Sequence, residues 1–303
     1  VNKPRRAPRR RIDGVLLFDK PAGVTSNTAL QIVRRLFNAE KAGHTGTLDP
    51  MATGLLPVCF GEATKYSGEL LDADKAYRAT LRFGVTTDSG DADGQVVCER
   101  PVAIAAGQLE AAIGRFLGDI DQVPPMHSAL KRDGKPLYEY ARAGIEIERA
   151  PRRVTIRAIE LLNRDESTAM LEVRCSKGTY IRTLAADIGE LLGCGAHLTA
   201  LRRLATGGVE LANAFDLPTL EWMTESERDA ALLPVDTLLE RLPSIVLSAG
   251  ESTRLRLGQT VPWTGEGRGR CRVYGPDGTF LGTGDAAGDG WLRPGRLLAT
   301  TNP

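Results

Sequence analysis

The sequence predicts an α+β fold: a mixed, largely antiparallel central sheet, followed by a small C-terminal β-rich unit. Three observations carry this. Strand and helix signals alternate without the equal units of a βαβ rhythm, which argues against a parallel, doubly wound sheet. Two strong strand signals, 154–163 and 168–175, are separated only by a short polar turn, the connection that antiparallel neighbours use. From about Ser244 the character changes to short apolar runs punctuated by glycine turns. The 303 residues leave room for about two domains at ~150 residues each, and the last 55–60 residues are near the smallest size that folds alone.

The elements follow in order. Val15-Leu16-Leu17-Phe18 is a short apolar strand, closed by the turn signal Asp19-Lys20-Pro21-Ala22-Gly23. Ser26 reads as an N-cap, and Ala29, Leu30, Ile32, Val33, Leu36 and Phe37 recur at helical spacing, predicting a helix over 27–37. A Gly- and Thr-rich loop covers 43–54. Leu55 to Phe60 reads as a buried strand, 62–72 as a short helix, Tyr77 to Phe83 as an alternating strand, 86–95 as an Asp/Gly turn region and 96–98 as the start of another strand. Leu109, Ile113, Phe116 and Leu117 share one face of a helix over 105–117. Residues 124–153, rich in proline and basic groups with a helical run at 137–143, read as an insertion between two sheet strands. Loops of that length often carry function. After the 154–163 and 168–175 strands come a helix over 181–192, a strand pair within 196–211, an acidic helical stretch over 218–242, and the short strands of the tail.

Composition excludes several classes. No apolar run approaches the ~18–20 residues of a membrane span. The basic start lacks the apolar stretch of a signal peptide and the serines of a transit peptide. Five scattered cysteines with no CxxC fit a reducing cytoplasm rather than a disulfide framework, and three unpaired histidines give no metal-ligand spacing. The net charge of +1 hides a pattern. Residues 1–11 carry six basic groups and no acid; 12–128 sum to −5, 129–157 to +4, 158–250 to −6 and 251–303 to +2. Positive charge therefore gathers in an arm, the insertion and the tail. Lys20, Lys75 and Arg182 are expected to add cations beside the loop, giving a basic stripe for nucleic-acid phosphates.

Several residues could carry chemistry. Asp49 sits among Gly43, Gly46 and Gly54, which would let the backbone approach another molecule; a carboxylate there serves as base or nucleophile, although Asp-Pro also reads as a turn or cap. Arg182, in the first turn of a helix, is poorly placed for the macrodipole, which suggests an acidic partner, although a solvated arginine is the common case. Tyr77 and Tyr180 are potential platforms for an unstacked base, or half-buried strand residues. His44 shares the loop with Asp49, and Lys20 closes the first strand. The glycine-rich stretch from Gly265 to Arg270 lacks the strand–helix context of a phosphate loop and reads as a hairpin or flexible turn.

Together these segments resemble the TruB family of tRNA pseudouridine synthases. Four blocks carry the resemblance: LFDKPAGVTS over 17–26, KAGHTGTLDPMATGLLP over 41–57, DKAY over 74–77 and CSKGTYIRTL over 175–184. They stand in the family's order and nearly without gaps. The resemblance implies a pseudouridine-synthase fold with a PUA-like C-terminal domain. It implies isomerisation of the T-arm uridine at position 55 of tRNA, with base flipping, no metal and no cofactor. It also assigns roles. Asp49 is the nucleophile, Tyr77 stacks on the flipped uracil and assists proton removal from C5, and Arg182 pairs with Asp49. His44 fills the place of the extruded base, Tyr180 and Leu201 line the uracil pocket, and Lys20 braces the loop.

The expected organisation is a flexible basic arm over 1–11, a catalytic domain over 12–243 with the thumb-like insertion 124–153, and an RNA-binding domain over 244–303. The expected state is a cytoplasmic monomer with tRNA as partner, no membrane and no obligatory protein partner. Alternatives are a non-catalytic RNA-binding or RNA-folding module, a guide-RNA-dependent pseudouridine synthase subunit, and a small-molecule hydrolase built around Asp49. The last finds no supporting His–Asp arrangement.

Overall fold

The computed structural model describes residues 8–265 and 268–299. Its centre is a nine-stranded sheet whose spatial order is Gly14–Lys20, Thr53–Phe60, Ala196–Thr206, Lys75–Phe83, Thr168–Cys175, Arg152–Arg164, Gly118–Gln122. Ala42–His44 pairs on Thr53–Phe60, and Val209–Glu210 pairs on Ala196–Thr206. Every pairing is antiparallel except the short parallel contact of Arg202 and Arg203 with Thr53 and Gly54. The mixed, largely antiparallel sheet expected from the sequence is therefore present.

One face of the sheet carries the alternate residues Tyr77, Ala79, Leu81 and Phe83 of one strand and Leu171 and Val173 of its neighbour. They pack against Ile181–Leu191, which presents Ile181, Leu184, Ala185 and Ile188, and against Leu109 and Ile113 of Gln108–Gly114. The period of two in the strand meets the 3.6-residue period of the helix. At the other end Leu16, Phe18, Leu56, Val58 and Phe60 bury against Ala29, Leu30, Val33 and Phe37 of the Ser26–Leu36 helix.

The tail forms its own five-stranded sheet with its own apolar core of Ile245, Leu255, Val261, Val273, Leu281 and Leu292. It is docked on the central body. Tyr274 Oη donates to Asp236 Oδ2 at 2.6 Å, Tyr66 Oη to the Arg296 carbonyl at 2.5 Å, and Phe280 packs on Tyr66. Of the Gly265–Arg270 stretch, residues 266 and 267 lie outside the described residues; from Gly269 the chain is strand.

Several elements differ from the sequence reading for identifiable reasons. The helix starts at Ser26 with Thr25 as its N-cap, because the Ser26 hydroxyl is buried and serves the Asp49 loop instead. The run 62–72 breaks into a 3-10 helix, Gly61–Tyr66, and one short turn, Gly68–Leu71; glycine is a poor helix former. The helix expected over 105–117 occupies only Gln108–Gly114, since Gly107 adopts a φ of 77°. The acidic stretch 218–242 holds two short helices, Leu217–Trp222 and Glu225–Ala230, and a 3-10 turn, Val235–Leu239. The edge strand Gly118–Gln122 was not anticipated; its polar GDIDQ carries no apolar alternation. The arm is not free to residue 11. Arg10 exchanges backbone hydrogen bonds with Asn38 and Glu40, and its guanidinium pairs with Asp229. Residues 1–7 lie outside the described residues.

Candidate active site

The site grows from the loop between Ala42–His44 and Thr53–Phe60. Its position is set from below. Ser26, on the neighbouring helix, accepts from Leu48 N at 2.8 Å and donates to Leu48 O at 3.1 Å, so one hydroxyl satisfies both backbone groups beside Asp49. Lys20 is completely buried at the end of its strand and donates through Nζ to the carbonyls of Pro21 at 2.8 Å, Val24 at 2.7 Å and Pro50 at 3.3 Å. Burial pulls its pKa down to about 8, against the opposing attraction of Asp49. Lys20 thus ties the turn after the first strand to the residue following Asp49.

Of the glycines around Asp49, Gly54 serves a different purpose from the one read in the sequence. A Cβ on Gly54, where φ is 100°, would lie 2.4 Å from the Arg203 carbonyl oxygen. Close backbone approach is required here by the strand Ala196–Thr206, not by another molecule.

Arg182 closes the site from the other side. Its side chain is buried and meets two carboxylates: Nε lies 3.1 Å and Nη2 3.2 Å from the two oxygens of Asp49, and Nη1 lies 3.5 Å from Asp91 Oδ2. It also donates to the carbonyls of Ser89 at 2.9 Å and His127 at 2.6 Å. The acidic partner expected from its helix position is therefore real, and it is shared. Asp49 is half-buried, and burial pushes its carboxyl above the usual range despite the Arg182 cation; Asp91 and Asp93 add to the upward push.

Above this pair opens a cleft of about 150 Å³ lined by Thr47, Leu48, Asp49, Tyr77, Ser128, Ala129, Thr179, Tyr180, Ile181, Arg182 and Leu201. Five of the seven residues singled out from the sequence, Asp49, Tyr77, Tyr180, Arg182 and Leu201, meet on its wall. Tyr77 and Leu201 come from paired strands of the central sheet, and Tyr180 caps the Ile181–Leu191 helix. Gln122 fixes the Tyr180 backbone, accepting from its N–H at 3.0 Å. Burial raises the phenols of Tyr77 and Tyr180, so both are neutral near pH 7. The other two residues stand outside the wall. Lys20 acts beneath the loop, and His44 is half-buried on Ala42–His44, its pKa lowered by burial and by Arg203.

The expectation that Lys20, Lys75 and Arg182 supply free positive charge is corrected. Lys20 and Arg182 are buried on their partners, and Lys75 Nζ caps the carbonyls of Leu70, Leu71 and Ala73. In the tail, Arg270 pairs with Glu69 at 2.6 Å and Arg293 with Asp289 at 2.6 Å. The insertion differs. Lys131, Arg132 and Lys135 are exposed and make at most loose pairs, Arg132 with Asp133 at 3.7 Å and Lys135 with Glu139 at 3.9 Å. Its first residues reach the cleft through Ser128, Ala129 and the His127 carbonyl.

Three site residues were missed. Ser89 and Asp91 lie in the 86–95 region, read only as a turn; the doubling of aspartate and glycine there carries no sign that one carboxylate is buried. Arg203 is 1% exposed beneath the loop, donating to the Leu55 carbonyl at 2.6 Å and the Gly46 carbonyl at 3.2 Å. Its only sequence signal was its place two residues after Leu201 in a strand, hence on the same face.

An aspartate–arginine pair at a tyrosine-lined cleft stands on the α+β body, to which a small β-rich domain is joined, and its relatives place the chain in the pseudouridine synthase class. Family models match three consecutive stretches: the TruB family pseudouridylate synthase N-terminal domain over 34–181, the tRNA pseudouridylate synthase B C-terminal domain over 182–240, and the pseudouridine synthase II TruB C-terminal domain over 243–298. The chain is 58% identical over 302 residues to the tRNA pseudouridine synthase B of Chromobacterium violaceum, covering 99% of this chain and 98% of that protein. It is 57% identical to the protein of the same name from Azoarcus sp. strain BH72, covering 98% of each. Among solved structures, a chain of a Cbf5–Nop10–Gar1 complex superposes with a TM-score of 0.68 at 27% identity, covering 90% of this chain and 78% of that one. A chain of an archaeal box H/ACA sRNP Nop10–Cbf5 complex gives 0.67 at 26%, covering 90% and 79%. The chain belongs to the TruB family of pseudouridine synthases.

Proposed function

We propose that this TruB-family chain isomerises uridine to pseudouridine in tRNA, at position 55 of the T-arm. The observation that supports this best is the Asp49–Arg182 pair on the wall of a cleft that also holds Tyr77, Tyr180 and Leu201. The base must leave its stack to reach Asp49, at a cost of a few kcal/mol that the pocket recovers. Tyr77 offers the ring face, Tyr180 and Leu201 the walls, and His44 takes the vacated place. Asp49 attacks C6 of the base or C1′ of the ribose. The N1–C1′ bond breaks, the uracil turns, and C5 bonds to C1′. The C5 hydrogen leaves as a proton with help from Tyr77, and N1 gains one, so formula and oxidation state are unchanged. That balance calls for no metal or cofactor. Arg182 opposes the desolvation that would protonate Asp49.

The organisation we propose is an arm over 1–11, a catalytic domain over 12–243, the insertion 124–153 as a thumb on the RNA stem, and a PUA-like domain over 244–303. The chain acts in the cytoplasm as a monomer without an obligatory protein partner. No helix among the described residues is long and apolar enough to cross a membrane.

The test is pseudouridine mapping after incubation with an unmodified tRNA transcript and with a bare T-arm stem-loop. Product at position 55 in both is expected. Product only when guide RNA and protein partners are added would favour the guide-dependent alternative, and no T-arm product would overturn the reading.

A further inference from the structure

Ser128 carries a buried hydroxyl on the cleft wall that the fold does not use. The residue is 5% exposed, and its Oγ has no hydrogen-bond partner among the described residues. The hydroxyls of Thr45, Thr206 and Ser252 are buried and unpartnered too, but of these residues only Ser128 lines the cleft. Its backbone is served by others: Ser128 N donates to the Met126 carbonyl at 2.9 Å, and the Ser128 carbonyl accepts from Tyr138 N at 3.1 Å. The hydroxyl is needed for neither. Polar neighbours on the wall are already engaged. Asp49 and Arg182 hold each other, Arg182 also holds the His127 carbonyl next to Ser128, and Thr179 Oγ1 donates to the Ser176 carbonyl at 2.9 Å. The Tyr180 phenol stands beside Ser128 and makes no hydrogen bond to it. A buried hydroxyl left alone weakens the fold, so its place in a cleft wall points to a ligand that supplies the missing partner.

We propose that the Ser128 hydroxyl binds the flipped base: it donates to a carbonyl oxygen of uracil and stabilises the negative charge that this oxygen gains during turnover. The inference rests on the pseudouridine synthase reading and deepens it. Uracil carries two carbonyl oxygens, O2 and O4, and a hydroxyl is a donor suited to either. Attack at C6 drives the C5–C6 electron pair toward O4. Departure of the base from C1′ leaves its charge shared between O2 and O4. On both routes a carbonyl oxygen becomes more negative, and a fixed donor beside developing charge acts most strongly in the transition state. The turn that brings C5 to C1′ runs about the axis through N3 and C6, so it exchanges O2 and O4. One hydroxyl therefore meets a carbonyl before the turn and another after it.

The experiment uses the full chain with Ser128→Ala and with Ser128→Cys, the second close in size but only a weak donor. Urea denaturation without RNA comes first. The midpoint of Ser128→Ala should equal or exceed that of the wild type, because a hydroxyl without a partner in the fold is not missed. A lower midpoint would mean that the hydroxyl is bonded within the protein, to the Tyr180 phenol for example, and would overturn the proposal. Single-turnover pseudouridine formation on an unmodified tRNA transcript should fall about tenfold or more in Ser128→Ala, with Ser128→Cys between. Affinity for tRNA should change less than about threefold, because phosphate contacts carry most of it. Equal rates in the wild type and Ser128→Ala would overturn the proposal. So would a rate loss matched by an equal loss of affinity, which would mark a grip on RNA rather than on the base. A wild-type chain that makes no pseudouridine would instead sink the functional reading, and the uracil assignment with it.

Discussion

The Asp49 loop and the 124–153 insertion both border the cleft, yet they are built on opposite terms. Around Asp49, backbone and side chains are held by Ser26, Lys20, Arg182 and Arg203, all of them buried and each making two or more short contacts. The insertion is mostly exposed, has a hairpin of two-residue strands and one short helix, and the ion pairs of Arg132 and Lys135 are long. On the proposed function, the difference separates chemistry from RNA grip. Asp49, the proposed nucleophile, is fixed by the protein's own contacts, which is what positioning a reacting group requires. Lys131, Arg132 and Lys135, the cations proposed to meet phosphates, are left in solvent, where an exposed ion pair contributes only ~0–1 kcal/mol.

The comparison can be broken most severely at Arg182. Arg182→Met deprives Asp49 and Asp91 of their shared cation, and should cost about 3–5 kcal/mol of stability, read by urea denaturation, along with pseudouridine formation. Gly54→Ala puts a methyl 2.4 Å from the Arg203 carbonyl at a φ of 100°. The strained backbone should cost about 1–3 kcal/mol, and Gly23→Ala, with open space around it, should cost less. Ser26→Ala strips the partner from the Leu48 N–H and should cost about 1–3 kcal/mol; the same change should slow single turnover more than it weakens tRNA binding. By contrast, the triple change of Lys131, Arg132 and Lys135 to Ala should leave stability within about 0.5 kcal/mol. It should weaken tRNA binding and flatten the dependence of affinity on salt, since each lost phosphate contact lowers the slope by about one. Equal destabilisation by Ser26→Ala and the triple change would erase the distinction between the two regions.

The pH dependence sharpens the same point. In the proposed role Asp49 attacks as the carboxylate, and its carboxyl is held above the ordinary range by burial. Activity should therefore be lost on acidification at a higher pH than an unperturbed aspartate would give. The stability sign is opposite: a carboxyl raised in the folded state binds its proton more tightly folded than unfolded, so Asp49 protonation stabilises the fold. A rate profile that falls where stability does not would separate the two effects.

Much of this was legible in the chain. Alternating strands such as Tyr77 to Phe83 announce one buried face, and the Asp49, Tyr77 and Arg182 blocks carry the residues that meet at the cleft. What was illegible is what depends on distant segments. Nothing local marks Ser26 as a ligand of Leu48 rather than a cap, since the choice is made by a loop 22 residues away. Gly54 reads as freedom in the loop until the parallel strand bearing Arg203 is laid beside it. Lys20, Lys75 and Arg182 count as positive charges in a sum, but burial and partners remove them from the surface. Arg270 of the tail pairs with Glu69, and Arg153 and Arg157 pair with Asp119 and Asp74, so both positive excesses shrink on folding, while Lys131, Arg132 and Lys135 stay exposed.

The central claim is that Asp49 is the nucleophile of a uridine isomerisation. The most direct measurement compares the wild-type chain with Asp49→Asn on an unmodified tRNA transcript, mapping pseudouridine and measuring tRNA binding in the same samples. The account predicts pseudouridine at position 55 with the wild type, none with Asp49→Asn, and retained binding in both. Full activity of Asp49→Asn would contradict it.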